Sequence, residues 1–575
     1  METFRVKTIV DTNRIRLVAF GLVAISLWIL FRLFFLQVVR HDYYALFALN
    51  SHEIYQKLHP SRGSIFFQDS RSKQEYPAAI NKQFFLVYSV PKEIPTNDVA
   101  STTAALVQLL NYDAGEQKNL IEKLASGDSY RVLAKKVDSQ AAEKIKALGV
   151  RGIYVTPQDY RFYPEENLAA NVLGFTVLDD EGRMLGKYGL EGYWEKKLAG
   201  KGGFLIGETG AMGSWITLAD RTGVQPENGV DLLLTLDRTL QYTACESLHK
   251  SMEKYKAKSA TLILMQPMTG KILAMCSLPD FDPNMYARVD DISTFNNTAI
   301  FTPYEPGSVF KPITMAAALD LGLVNPDTRH TDPCQLEVNG YIIRNALRKC
   351  YGNHTMTEAL ENSVNTTLVW IQEKIGTDRF RDYVQKFGFG SKAGLSLNTE
   401  AVGDISSLEK KGKIFGANGA FGQGLSVTPL QLIASYAAIA NDGRLPKPYI
   451  VEEVRYPNGQ KEKTEPEYEQ VISPRAAKLL SGMLVSVVEN HYRQARIPGY
   501  FIGGKTGTAQ IAEKGKYSDD RTNHTFVGFA PADDPELVVL VKYEEANEKW
   551  AEQTTIPVFK EVMQFALRYY GISTK

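Results

Sequence analysis

A serine and a lysine separated by two residues are the first side chains in this sequence that suggest chemistry. The pattern Ser-x-x-Lys decides nothing alone, because it begins at Ser70, Ser89, Ser247, Ser251, Ser308 and Ser407. Ser308 differs from the others: Tyr-Glu-Pro-Gly precedes it, and a segment that is apolar on almost every side follows it, as far as Leu321. Such a segment predicts a buried helix. Residues three apart share one face of a helix, so Lys311 lies within reach of Ser308.

The side chains of Ser308 and Lys311 are of the types that can act as a nucleophile and its base. A helix start offers unpaired backbone N–H groups and a positive dipole end. Burial among apolar residues lowers the pKa of a lysine, so that a neutral amine can take the serine proton. The alternative is a serine that caps the helix beside a lysine whose alkyl chain lies along apolar surface. On this segment alone both interpretations stay open.

A second polar pair, Ser363-Val-Asn365, lies where a helical pattern over residues 357–372 is interrupted. Ser-x-Asn also begins at Ser396, so the motif is weak when it is taken alone.

The third segment, Lys505 to Thr508, reads Lys-Thr-Gly-Thr and follows two glycines on a predicted strand. A cation together with the hydroxyls of Thr506 and Thr508 suits a carboxylate. Gly507 allows another backbone to lie close enough to pair with the strand. The alternative is an ordinary edge strand with a turn, and the segment alone does not exclude it.

The elements around these motifs predict an α+β fold. Residues 240–254 and 308–321 have helical patterns, and a hairpin is predicted to turn at residues 267–270. Three strands are predicted late in the chain, at residues 501–510, 525–530 and 537–543. A last helix has Pro557 near its start and Gly571 after its end. This order indicates an antiparallel sheet with helices packed on it.

Residues 17–39, LVAFGLVAISLWILFRLFFLQVV, predict a single transmembrane helix. At about 1.5 Å per residue this length reaches across a hydrocarbon core of roughly 30 Å, and Arg32 sits near the far end, where it can snorkel. The basic residues that precede the span place residues 1–16 in the cytoplasm by the positive-inside rule; they are Arg5, Lys7, Arg14 and Arg16. We therefore expect an uncleaved signal anchor. A removed signal peptide and a buried core helix are the alternatives.

Composition excludes several classes of protein. Lys plus Arg and Asp plus Glu both number 65, so the net charge is zero and a nucleic-acid binder is not expected. With 44% hydrophobic residues and ordinary glycine and proline usage, the 575 residues can form large cores. Residues 40–230 carry no catalytic constellation, whereas the motifs fall in residues 231–575. We expect both regions outside the cytoplasmic membrane.

The cysteines and histidines predict little chemistry of their own. Cys334 and Cys350 flank a short strand-like segment, and a disulfide and two free thiols are equally plausible there. Cys245 and Cys276 have no evident partners. The 8 histidines are scattered and form no HExxH pair, so we predict neither a metal site nor a cofactor.

Taken together, the three motifs resemble a known set. They begin at Ser308, Ser363 and Lys505, 55 and then 142 residues apart. This order resembles the Ser-x-x-Lys, Ser-x-Asn and Lys-Thr-Gly set of penicillin-binding proteins and serine β-lactamases. Other segments resemble the transpeptidase domain of class B penicillin-binding proteins; they begin at Gly270, Phe281, Tyr304 and Gly422. Upstream segments resemble that family's non-catalytic, dimerisation-like pedestal; they lie at residues 62–65, 163–175 and 189–192.

The resemblance implies a peptidoglycan D,D-transpeptidase. Ser308 attacks the carbonyl between the last two D-alanines of a stem peptide, and Lys311 accepts its proton. Ser363 relays a proton to the departing D-alanine, while Asn365 holds Lys311 and a substrate amide. Lys505 adds positive potential near Ser363.

The resemblance also assigns the substrate contacts. Backbone N–H groups of Ser308 and Thr508 form the oxyanion hole, and Thr506 and Thr508 receive the terminal carboxylate beside Gly507. An amine of a neighbouring stem peptide then takes the acyl group. β-Lactams are expected to acylate Ser308 and persist, because no clear second base is present to activate water.

The sequence departs from the family after Ile65, where Phe-Phe-Gln-Asp-Ser-Arg replaces the usual Asp-Arg-x-Gly turn. No glycosyltransferase signature occurs in residues 40–230, which disfavours a bifunctional enzyme. The alternatives are a D,D-carboxypeptidase or β-lactamase, a penicillin sensor, and a scaffold of the cell-wall machinery. The expected partners are a membrane glycan polymerase and division or elongation proteins, with a mild preference for division.

Overall fold

The computed structural model describes residues 12–35, 53–179, 182–208, 222–513 and 516–574. The chain forms two compact units. One contains residues 1–60 and 201–227, and the other contains residues 61–200 and 228–575. All the candidate catalytic residues lie in the second unit.

The described strands, in chain order, are β1 Glu53–Leu58, β2 Ile65–Asp69, β3 Gln74–Ser89, β4 Arg131–Val137, β5 Ile153–Phe162, β6 Phe175–Leu178, β7 Met184–Lys187, β8 Gly203–Glu208, β9 Thr222–Val224, β10 Asp231–Asp237, β11 Ser259–Met265, β12 Ile272–Leu278, β13 Arg329–Thr331, β14 Gln335–Val338, β15 Tyr341–Arg344, β16 Asn353–Thr355, β17 Arg444–Pro446, β18 Val451–Arg455, β19 Lys461–Lys463, β20 Tyr468–Gln470, β21 Gly503–Glu513, β22 Lys516–Ala530 and β23 Leu537–Glu544.

The described α-helices are α1 Thr12–Phe34, α2 Val99–Leu110, α3 Ala114–Ala125, α4 Ser139–Ala147, α5 Ala170–Leu173, α6 Gly189–Tyr193, α7 Glu195–Leu198, α8 Arg238–Tyr255, α9 Thr298–Phe301, α10 Lys311–Asp320, α11 Met356–Glu361, α12 Asn365–Ile375, α13 Thr377–Lys386, α14 Lys413–Gly419, α15 Pro429–Ala440, α16 Pro474–Asn490 and α17 Ala551–Tyr569.

The first unit contains α1 and a small antiparallel sheet in the order β1-β8-β9. Helix α1 begins at Thr12 and ends at Phe34, whereas the predicted span covers residues 17–39; residues 1–11 and 36–39 lie outside the described residues. Within the described part of the chain, no helix combines the length and the apolar character needed to cross a membrane.

A seven-stranded sheet in the second unit joins both sides of the predicted boundary at residue 230. Its order is β19-β18-β10-β2-β3-β4, with β5 also paired to β3. Strand β10 runs parallel to β2 and antiparallel to β18. Backbone hydrogen bonds therefore tie the segment after Arg62 directly to the start of the region that carries the motifs.

A buried ion cluster joins two of the pedestal-like segments, residues 62–65 and 189–192, to the end of strand β5. The Glu191 carboxylate accepts hydrogen bonds from Arg62 Nη2 at 2.5 Å and from Arg161 Nε at 2.6 Å. Arg62 also pairs with Glu195 at 2.7 Å. Burial alone would raise the pKa of Glu191, but the two guanidinium groups lower it. The glutamate therefore stays ionised inside the protein and links three remote segments.

The predicted α+β class is confirmed. A five-stranded sheet runs in the order β12-β11-β23-β22-β21, and every neighbouring pair is antiparallel. The predicted hairpin is β11 and β12, and the turn between them contains residues 267–270. Strand β21, which carries Lys505 to Thr508, lies at one edge of this sheet.

The position of Pro557 differs from the prediction. Helix α17 begins at Ala551, so Pro557 lies inside it and not near its start. A proline inside a helix leaves the carbonyl four residues before it without an N–H donor. Here that carbonyl, of Gln553, accepts a hydrogen bond from the Tyr255 hydroxyl at 2.8 Å. The helix therefore continues to Tyr569, and Gly571 follows its end as predicted.

The two faces of the five-stranded sheet contact different parts of the chain. Phe526 meets Phe559 of α17 edge to face, with ring centroids 4.6 Å apart. The preceding residue, Thr525, is hydrogen-bonded through its hydroxyl to Tyr304 at 3.0 Å. Successive strand residues point to opposite faces. The Tyr304 segment, four residues before Ser308, therefore lies on the face away from the terminal helix.

All four cysteines are paired. Cys245 and Cys276, for which the sequence indicates no partner, form a disulfide that joins α8 to β12. Cys334 and Cys350 form the other disulfide, so the thiol alternative for that pair is wrong. The first pair escapes sequence analysis because a helix and a strand bring the two cysteines together across 31 residues.

Candidate active site

Ser308 lies in a tight turn that opens a buried helix. Residues Gly307–Phe310 form one turn of 3-10 helix, and α10 continues it from Lys311. Val309 and Phe310 are fully buried, while the side chain of Ser308 is partly exposed. The predicted helix over residues 308–321 is therefore confirmed, with a tighter first turn. The turn is held in place by hydrogen bonds, because Gly307 N donates to Gly422 O at 3.0 Å and Tyr436 Oη donates to Val309 O at 2.8 Å.

Lys311 is completely buried and contacts the second motif directly. Its Nζ donates a hydrogen bond to Ser363 Oγ at 2.9 Å and another to Ser363 O at 2.5 Å. Burial lowers the pKa of Lys311 well below its usual value, and the positive charge of Lys505 lowers it further. A neutral amine has two N–H groups and one lone pair. With both N–H groups engaged by Ser363, the lone pair is left to accept a proton.

Ser363 has an unusual backbone conformation that explains this double contact. It lies between α11 and α12 with φ +55, in the left-handed region that residues other than glycine rarely adopt. This turn directs the carbonyl and the hydroxyl of one residue towards the same amine. The break predicted near Ser363 is therefore present, and it positions two acceptors instead of one.

Asn365 begins α12, and its side chain has a different partner from the expected one. Its Nδ2 donates to Arg344 O at 2.9 Å. Within the described residues, no hydrogen bond joins Asn365 to Lys311. The same holds for the Ser308 hydroxyl, which has no described hydrogen bond to Lys311 or Ser363.

The segment Lys505 to Thr508 lies against the Ser308 turn. A Cβ on Gly507 would lie 2.8 Å from Pro306 O and 3.1 Å from Val309 N. Glycine thus permits a close approach between strand β21 and the nucleophile turn of the same chain, in addition to any substrate backbone. Thr508 Oγ1 accepts a hydrogen bond from Ala551 N at 3.1 Å.

Lys505 and Thr506 share a partner that sequence analysis misses. Both side chains are buried and donate to the phenol oxygen of Tyr492, Thr506 Oγ1 at 2.6 Å and Lys505 Nζ at 3.3 Å. Lys505 Nζ also donates to Thr506 O at 3.2 Å. No motif marks Tyr492, because it lies in an irregular link between α16 and β21.

The structure therefore brings the three predicted motifs into one site. Lys311 contacts Ser363, Gly507 packs on the turn that contains Ser308, and the charge of Lys505 acts on Lys311. A desolvated amine that is hydrogen-bonded to the hydroxyl of Ser363 and begins the helix that follows the Ser308 turn, with a buried cation nearby, suits acyl transfer through a covalent intermediate. Among the described residues, no group of three or more His, Cys, Asp or Glu side chains could hold a metal ion.

Comparisons with known proteins identify the family of this chain. A family model described as penicillin binding protein transpeptidase domain matches residues 260–564. Another, described as penicillin-binding protein dimerisation domain, matches residues 57–234. Stage V sporulation protein D of Bacillus subtilis is 33% identical to this chain, and the match covers 99% of this chain and 88% of that protein. The probable peptidoglycan D,D-transpeptidase PenA of Neisseria meningitidis is 28% identical, and the match covers 99% of this chain and 94% of that protein.

A solved structure shares the fold. Penicillin binding protein 3 of Mycobacterium tuberculosis, complexed with aztreonam, matches with a TM-score of 0.69 and 24% identity, covering 90% of this chain and 98% of that chain. The two matched domains, the relative that spans nearly the whole chain and the three motifs gathered in one site lead to the same conclusion. The chain belongs to the penicillin-binding protein transpeptidase family, with a dimerisation domain followed by a transpeptidase domain.

Proposed function

We propose that this protein is a peptidoglycan D,D-transpeptidase that cross-links stem peptides through an acyl-enzyme on Ser308. The observation that carries the proposal is the buried Lys311 amine, which donates both of its hydrogen bonds to Ser363 and keeps a lone pair beside the Ser308 turn. A base with a lowered pKa is what a serine needs to become a nucleophile near neutral pH. The similarity to the probable peptidoglycan D,D-transpeptidase PenA supports the same activity.

Acylation follows from these groups. Lys311 Nζ takes the hydrogen of Ser308 Oγ, and Oγ forms a bond to the carbonyl carbon between the last two D-alanines. The backbone N–H groups of Ser308 and Thr508 hold the resulting oxyanion, and each such donor typically contributes about 2.7–4 kcal/mol. The C–N bond then breaks as Ser363 relays the proton that Lys311 took from Ser308 to the leaving D-alanine nitrogen.

The remaining site residues orient the donor peptide. Thr506 and Thr508 receive its terminal carboxylate, and Gly507 lets its backbone approach β21. Lys505 supplies positive potential next to Ser363, and Asn365 binds a substrate amide. Asn365 must leave its bond to Arg344 O, or use its amide oxygen, for this contact.

The second half of the reaction forms the cross-link. The amine nitrogen of a neighbouring stem peptide attacks the acyl carbon and loses a proton to Lys311. The ester bond to Ser308 Oγ then breaks, and Oγ takes the proton from Lys311, which restores the free enzyme. β-Lactams acylate Ser308 in the same way and persist, because the three motifs, all in the described part of the chain, contain no carboxylate or histidine that could activate water.

Labelling with fluorescent penicillin tests the nucleophile. We expect wild type to be labelled covalently and Ser308→Ala to remain unlabelled. Ser407→Ala is the matched control, because Ser407 also begins a Ser-x-x-Lys pattern, and it is expected to label like wild type. Labelled Ser308→Ala protein would refute the assignment.

An assay with stem peptides distinguishes the acceptor. Release of free D-alanine without formation of dimeric stem peptide would indicate a carboxypeptidase instead.

The amino-terminal segment anchors the protein in the cytoplasmic membrane in this proposal, with residues 1–16 in the cytoplasm and residues 40–575 outside. The large apolar side chains of α1 support it, since Phe20, Trp28 and Phe31 are 76%, 66% and 68% exposed. Deleting residues 12–35 is expected to move the protein from the membrane fraction, after a carbonate wash, to the supernatant. Full-length protein in the supernatant would contradict the anchor.

The domain boundaries and the partners belong to the same proposal. Residues 40–230 form the non-catalytic pedestal and residues 231–575 the transpeptidase domain. A membrane glycan polymerase and division or elongation proteins are the partners, bound through the anchor and the pedestal. Co-purification of full-length protein with such a polymerase, compared with the variant that lacks residues 12–35, tests the role of the anchor.

A further inference from the structure

Tyr492 is a buried phenol directly beside the third motif. It follows helix α16, and its backbone N–H still donates to Val487 O at 3.2 Å, so the helix end fixes its position. Only 5% of the residue is exposed. The Lys505 ammonium lies 5.4 Å from the centre of its ring, within the range of a cation–π contact.

The phenol oxygen joins two side chains that the strand would otherwise separate. Neighbouring residues on a strand point to opposite faces, so Lys505 and Thr506 leave β21 in different directions. Both nevertheless donate to Tyr492 Oη, at 3.3 Å and 2.6 Å. Strand β21 lies at an edge of the sheet, so no further strand is paired along its other side, and one group there can be reached from both faces.

The phenol hydrogen of Tyr492 is available for a further hydrogen bond. A phenol accepts through its lone pairs and donates one hydrogen. Tyr492 accepts from Lys505 and Thr506, and within the described residues its own hydrogen has no acceptor. If Thr506 turns its hydrogen to an arriving carboxylate, Tyr492 can donate to Thr506 Oγ1 instead. The short contact is therefore kept in both states, with its direction reversed.

We propose that Tyr492 is a positioning residue that holds Lys505 and Thr506 ready for the carboxylate of the donor substrate. This inference rests on the proposed function, and it concerns recognition of the carboxylate and not the chemistry at Ser308. Without the hydroxyl, Lys505 keeps only the carbonyl of Thr506 as a described hydrogen-bond acceptor, and Thr506 loses its only described side-chain partner.

The test compares two ligands that differ in the carboxylate alone, benzylpenicillin and its methyl ester. Mass spectrometry follows acylation of full-length wild type and Tyr492→Phe. We expect the variant to react about tenfold more slowly with benzylpenicillin, the scale of one hydrogen bond to a charged group. Its rate with the methyl ester is expected to stay within about twofold of wild type, since neither protein can use the carboxylate contact.

Tyr500→Phe is the matched control. It removes a hydroxyl that donates to Ile572 O at 2.6 Å, in the same link between α16 and β21, without touching Lys505 or Thr506. We expect this variant to react with both ligands at wild-type rates. Equal slowing of Tyr492→Phe with both ligands would indicate a structural role and overturn the inference, as would no slowing with either.

A second measurement does not depend on acylation. The melting temperatures of Tyr492→Phe, Thr506→Val and the double variant form a cycle. We expect the double variant to lose less than the sum of the two single losses, because both remove the same hydrogen bond. Additive losses would overturn the positioning role even in an active enzyme. A wild type that no penicillin acylates would instead overturn the proposed function, and the cycle would still measure the contact.

Discussion

The Lys311 amine donates hydrogen bonds to two oxygen atoms of a single residue, Ser363 Oγ at 2.9 Å and Ser363 O at 2.5 Å. These residues lie 52 positions apart in the chain. The contact depends on two local features, a lysine at the start of a buried helix and a serine in the left-handed conformation. It fixes the amine and the second hydroxyl relative to each other before any substrate binds.

Acylation should depend on pH through Lys311. Its pKa is held well below the usual 10.5, first by burial and then by the charge of Lys505. As the pH rises through this lowered pKa, the amine loses its proton and gains the lone pair. We therefore expect the penicillin acylation rate to rise with pH and to level off well below pH 10.5.

Two variants separate the causes of that profile. Lys311→Arg stays charged at every accessible pH, so its rate is expected to fall by about 10²–10⁴. Lys505→Gln removes the nearby positive charge that lowers the pKa of Lys311. The midpoint of the profile is therefore expected to move to higher pH. A flat profile, or an arginine variant with the wild-type rate, would show that Lys311 is not the base.

A methyl group at position 507 should disturb the nucleophile more than the fold. In Gly507→Ala the new Cβ meets Pro306 O at 2.8 Å and Val309 N at 3.1 Å, and both are backbone atoms that cannot rotate away. The Ser308 turn must shift, and a displacement near 1 Å typically costs about 10² in rate. Acylation kinetics with fluorescent penicillin measure this effect.

Gly482→Ala provides the control for that substitution. Gly482 lies in helix α16, where an added Cβ meets nothing within 4 Å. We expect wild-type acylation and a small gain in stability, since alanine is favoured over glycine by about 1 kcal/mol in a helix. If Gly507→Ala is acylated as fast as Gly482→Ala, strand β21 does not constrain the Ser308 turn.

The disulfide between Cys245 and Cys276 should stabilise the second unit. It closes a loop with a sequence separation of 31, for which loss of unfolded-state entropy corresponds to about 3–4 kcal/mol. We expect dithiothreitol, or the double substitution Cys245→Ser and Cys276→Ser, to lower the melting temperature measured by circular dichroism. A variant with all four cysteines replaced should not respond to dithiothreitol. An unchanged wild-type melting temperature under reduction would contradict the prediction.

Sequence patterns were sufficient where the signal is local. The apolar run after Ser308 predicts the buried helix, and the hairpin that turns at residues 267–270 follows from strand periodicity and turn residues. The α+β class follows from the order of such elements. The misplaced start of α17 has a tertiary cause, because the Tyr255 hydroxyl satisfies the carbonyl that Pro557 leaves open.

The resemblance of the three motifs to the set of a known family also predicted which segments would meet. What the sequence alone determined is therefore the set of reactive groups and the elements that carry them, since both depend on neighbouring residues. Only the tertiary structure decided the partners: Ser363 O for Lys311, Arg344 O for Asn365, Tyr492 for Lys505, and Cys276 for Cys245. Such contacts depend on how remote elements pack, and no periodicity along the chain records that packing.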